Sequence, residues 1–234
     1  MSTENVSGGR GQPDPARREE LFRQLAQPFQ LSRGIHASPE AGMCATELAA
    51  FLAGEPHSYR PSCVSQTITN FVWLLGDRTD DDIRQRLLPF VPRLVGTATR
   101  QHEVARVEHF SWAAIRVFAP AALRAQGYRR HALELQNSKD FEQAGKIAKS
   151  IRDALIGTEA GSPAHLAANS AYRAAASADE IIRRGRLSLR DAHSLPGHAS
   201  ASAAEQAHKA GAAGWDLALD ALDVGLDIGV PRGR

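Results

Sequence analysis

Eight alanines fall within the sixteen positions 163–178, and eight more within the fifteen positions 199–213. Alanine gives up no side-chain freedom in a helix, and its small side chain lets neighbouring helices approach closely. The two blocks predict long, tightly packed helices joined by a basic connector that ends in Pro196 and Gly197. A disordered low-complexity tract lacks apolar anchors. Here Tyr172, Ile181, Ile182, Trp215 and Leu219 supply them.

The rest of the chain carries helix signals as well. Ser38-Pro39-Glu40 reads as an N-cap followed by proline in the first turn, with Gly54 ending that helix after Ala53. Ser62 caps a second helix from Cys63 to about Leu75, with Ile68, Phe71, Val72 and Leu75 at helical spacing, and Asp80 starts a third. A long helix is predicted from Thr99 to Phe118, Pro120 starts a short one closed by Gly127, and Ser138 caps another that ends at Gly157. No segment alternates apolar and polar residues for long, and no Asn-Gly or Asp-Gly hairpin turn occurs. The expected fold is all-α: a multi-helix bundle or array of helical hairpins. Residues 1–15 read as a polar, disordered lead-in and 16–157 as a helical domain. Residues 162–229 read as an alanine-rich hairpin packed on that domain in one globular unit.

Composition restricts the function classes. A chain of 234 residues with 23% charged and 43% hydrophobic residues can bury a proper core. It has no apolar run long enough to cross a bilayer and no apolar N-terminal stretch of the secretory kind. With only two cysteines, the thiols are expected to be reduced in a cytoplasm. A net charge of +2 is too small for an overall nucleic-acid footprint. The local clusters Arg129, Arg130, His131 and Arg183, Arg184, Arg186, Arg190 read as solvated helix ends.

One stretch gathers residues with chemistry. Between positions 42 and 63, GMCATELAAFLAGEPHSYRPSC places Cys44, Glu47, His57 and Cys63 around one turn, with His36 in reserve. Those four residue types could ligate zinc or iron if a hairpin brought them together. The spacing Cys-x12-His-x5-Cys fits no familiar zinc pattern, and free cysteine is often simply buried. The preferred reading makes the cysteines structural and Glu47 a buried anchor, bonded by amides of the turn 54–61, by Arg60 or by His57. A nucleophilic Cys–His pair is a lesser alternative. Phosphate-loop, dinucleotide, zincin and nucleophile-elbow motifs are all absent from the sequence.

The last helix carries a second constellation. Asp216, Asp220, Asp223 and Asp227 recur at spacings of four, three and four beside the apolar row Trp215, Leu219, Leu222 and Leu226. Carboxylates toward a helix C-terminus oppose the macrodipole by about 0.3–1 kcal/mol each. They call for a basic partner, either the segment Arg183–Arg190 or a basic surface on another protein. Otherwise they form a solvated face.

The motifs MC-x2-E at 43–47, AGEPHS-x2-P-x-C at 53–63 and RQRLLPFVPRLVGT at 84–97 resemble a family of small helical proteins of actinobacteria and their phages, with no assigned activity. The likeness covers most of residues 36–229 and implies alanine-rich helices followed by a leucine-rich C-terminal helix. The alanine-rich half is also similar to immunity proteins of bacterial toxin systems. Neither resemblance supplies a catalytic residue or a cofactor. Three functions are open. First is a non-catalytic, cytoplasmic helical interaction module (regulator, adaptor or immunity-type binder) whose partner is another protein, read by the four aspartates. Second is a metal protein using Cys44, Glu47, His57 and Cys63, and third a nucleic-acid-associated regulator.

Overall fold

The computed structural model describes residues 29–185 and 196–230. The expected lead-in over residues 1–15, the connector before Pro196, Arg186 and Arg190 lie outside the described residues. Every regular element among the described residues is helical: α1 (Ala45–Ala53), α2 (Gln66–Arg78), α3 (Asp81–Gln85), α4 (Val91–Leu94), α5 (Arg100–Trp112), α6 (Ala119–Ala125), α7 (Arg129–Gln136), α8 (Phe141–Glu159), α9 (Pro163–Arg184), α10 (Pro196–Lys209) and α11 (Gly214–Asp227). Short 3₁₀ turns at Pro39–Ala41 and Leu88–Phe90 and a π turn at Ala113–Phe118 complete the set. None of the described helices is long and apolar enough to cross a membrane.

Several boundaries move from where the sequence places them, for local reasons. Ser38 and Pro39 start only the 3₁₀ turn, because Gly42 breaks the chain at φ 122°. A Cβ there would meet Ser32 Oγ at 2.8 Å. Helix α1 begins after Cys44, whose N–H is held by the Glu47 carboxylate three residues on, one half of a capping box. Gly54 ends it in the left-handed conformation, as its glycine allows. Ser65, not Ser62, caps α2 by accepting from Ile68 N, while Ser62 bonds Glu55. Asp140, not Ser138, caps α8, which runs past Gly157 to Glu159. Helix α5 does not continue as an α-helix to Phe118. The proline at position 120 would crowd the Arg116 carbonyl, and the chain widens into a π turn in which Ala119 N bonds Ala114 O.

Two hydrophobic cores share the long helices. The first joins α1, α2, segment 87–94 and α11 around Phe51, Phe71, Phe110 and Phe118, with Phe71 and Phe110 rings 4.5 Å apart. The second joins α6, α7, α8 and α9. Helix α10 lies at the seam, giving Ala199, Ala201, Ala203 and Ala204 to the first core and Ala207 to the second. Seven alanines of α9 (164, 167, 168, 171, 174, 175 and 178) are completely buried. Their minimal side chains are what let α8, α9 and α10 pack closely, the role that the composition predicts.

Candidate functional site

The segment 29–44 is laid against the α1–α3 region by side chains of three helices. Gln85 of α3 accepts from Leu31 N at 2.7 Å and donates to Leu31 O at 3.1 Å, and Asp77 of α2 accepts from Gly34 N at 3.0 Å. The third tie is Glu47 of α1, which is 0% exposed. Its Oε1 accepts from His36 N at 2.8 Å, and its Oε2 accepts from Cys44 N at 2.8 Å and from His36 Nδ1 at 2.7 Å. His57 donates from Nε2 to His36 O at 3.0 Å and lies 3.6 Å from Glu47 Oε1. A carbonyl can only accept, so His57 carries its proton on Nε2. Its Nδ1 is buried without a hydrogen-bond partner.

Glu47 is therefore the buried anchor that the sequence suggests, with His57 beside it as one of the expected neighbours. The donors come from His36 and Cys44, before the helix, and not from amides of the turn 54–61. Arg60 lies instead over the Tyr59 ring, 5.5 Å from its centre. Burial alone pushes the Glu47 carboxyl up; the bonds from His36 and Cys44 outweigh it and leave the group below the ordinary carboxylate value.

The four metal candidates are only partly brought together. Cys44, Glu47 and His57 meet with His36, whereas Cys63 sits at the other end of the turn beside Glu55. Among the described residues no group of three or more His, Cys, Asp or Glu side chains is placed to hold a metal ion. Burial pushes the Cys44 thiol up to about 11, and burial together with the Glu55 carboxylate pushes Cys63 up to about 11. Both are protonated at neutral pH, which does not suit nucleophilic attack.

The acidic row of α11 meets arginines from elsewhere than the sequence suggests. Arg183 and Arg184 pair within α9, with Asp179 and Glu180. Arg86 instead bonds Asp216 at 2.8 Å, and Arg93 bonds Asp223 at 2.5 Å and Asp227 at 2.8 Å. The hydrogen bond to Asp223 leads in holding the Arg93 guanidinium above its ordinary value. An open groove of about 560 Å³ lies between the two segments, lined by Arg86, Pro89, Phe90, Arg93, Leu219, Asp220 and Asp223. The sequence carries only a matching spacing as a signal for these arginines. Arg86 and Arg93 are seven residues apart, as are Asp216 and Asp223.

These ion pairs stabilise only weakly. The Arg93 side chain is 40% exposed and its two aspartates more so. Arg93→Ala is expected to lower stability by less than about 1 kcal/mol, and by less still in 1 M salt, as measured by urea unfolding. Comparison of the chain with family models, curated proteins and solved structures finds no match to any of them.

Proposed function

We propose that the chain is a non-catalytic, cytoplasmic protein-interaction module, of the regulator, adaptor or immunity kind, that binds another protein over the aspartate face of α11. The observation that carries this reading is the groove. Exposed Pro89 and half-buried Phe90 lie beside a charged rim of arginines and aspartates, the apolar centre and polar border common in protein interfaces. Arginine and aromatic residues also dominate the energetics of such contacts. The engagement of Glu47, His36 and His57 with the protein's own backbone supports an architectural role for the buried cluster.

The test is purification of the tagged full chain from its native host, followed by reassembly of the complex from purified components. A near-stoichiometric partner is expected, its affinity weakened at least tenfold by Phe90→Glu and left unchanged by Ile156→Glu on α8. Recovery of no stoichiometric protein, or equal binding by both variants, refutes the reading.

A further inference from the structure

The groove has an electrostatic asymmetry that specifies its occupant more narrowly. Four aspartates on α11 face two arginines, so this face carries two net negative charges. Both arginines are already engaged, Arg86 by Asp216 and Arg93 by Asp223 and Asp227. Asp220 lines the same groove as both arginines and, among the described residues, forms no ion pair of its own. Beside it the groove is apolar. Leu219 forms buried wall, Phe90 is half-buried beneath the Arg93 guanidinium at 5.8 Å, and Pro89 is exposed. One turn beyond Asp220 on the same helix, Val224 is 56% exposed.

We propose that this groove accepts a short segment of a partner protein in which an apolar side chain lies next to a lysine or arginine. The apolar group covers Phe90 and Pro89, and the cation meets Asp220. A carboxylate in place of the cation would face the net negative charge, so the groove selects by sign as well as by shape. The proposal rests on the protein-interaction reading above and names the class of partner for the same site.

The probe is a labelled ten-residue peptide of leucine, phenylalanine and lysine, with a twin in which every lysine is glutamate. Fluorescence anisotropy with the full chain measures both. The lysine peptide is expected to bind the wild type, to weaken at least tenfold with Asp220→Lys and by a smaller factor with Asp220→Asn, and to weaken in 0.5 M salt. The glutamate twin is expected to bind only Asp220→Lys. Equal binding of the twins, or indifference to position 220, overturns the proposal. Two other occupants would overturn it as well. One is a second copy, seen as a dimer in sedimentation that Asp220→Lys dissociates. The other is the chain's own segment containing Leu21 and Phe22, seen as hydrogen-exchange protection of residues 86–93 that Phe22→Asp removes. If the peptides fail while Phe90→Glu still loses the native partner, the interaction module stands and only the basic, apolar partner class falls.

Discussion

Glu47→Gln is expected to lower the unfolding free energy by about 1–3 kcal/mol, whereas Glu55→Gln changes it by less than about 1 kcal/mol. The buried carboxylate accepts three N–H groups, two on one oxygen and one on the other. A glutamine amide has one acceptor oxygen and turns an NH₂ group toward a donor, so at least one buried N–H loses its partner. Glu55 accepts from Ser62 near the surface, where water replaces the bond. For a chain of this size each kcal/mol moves the midpoint by roughly 2–4 °C, within reach of a thermal melt. Equal midpoints for the two variants would remove the anchor role.

The same residue sets a pH dependence whose sign is fixed. The Glu47 carboxyl lies below the ordinary carboxylate value of about 4.5 in the folded protein. Its contribution is therefore fully present above about pH 4.5 and is lost as the pH falls through the folded value. The stability gap between wild type and Glu47→Gln should narrow on acidification below about pH 4.5. A gap that widened there would mean that the carboxylate is not the favoured form.

Gly197→Ala is the second large effect. A Cβ at this position would run into the Thr67 carbonyl, with the Thr67 carbonyl carbon at 3.1 Å and Phe71 N at 3.2 Å. These are backbone atoms of α2 and cannot turn aside as a side chain tip does. Helix α10 must move away from α2, and overpacking of this kind costs about 1–3 kcal/mol or more. Because α10 also separates the two cores, its shift should loosen both. The variant is expected to unfold at lower urea, with faster amide exchange in α2 and α10. An equivalent change at Gly157, where a Cβ meets nothing within 4 Å, is expected to stabilise slightly through helix propensity. If Gly197→Ala were as stable as Gly157→Ala, the close α2–α10 approach would be disproved.

The helical elements were largely legible because their information is local. Alanine content, apolar spacing of three and four, and stop residues such as Gly54 act within a few positions of where they lie. The caps were less so, since Ser38, Ser62 and Ser138 offer the same hydroxyl as Ser65, and only the path of the neighbouring chain selects among them. Glu47 was recognisable as an anchor from its place on the core face of α1. Its donors were not, because His36 reaches it from eleven residues away only after the chain folds back at Gly42. The aspartate row was equally plain in the sequence, and the basic partner that the sequence offers within the chain is the segment Arg183–Arg190, beside a surface of another protein or plain solvent. Arg86 and Arg93 stand 130 residues from Asp216 and Asp223. Nothing within α11 specifies them. The helices themselves follow from hydrogen bonds and side-chain entropy over single turns, and those terms are written in the sequence. Which charged faces meet depends on how the two cores bury their apolar surface, and that only the tertiary packing decides.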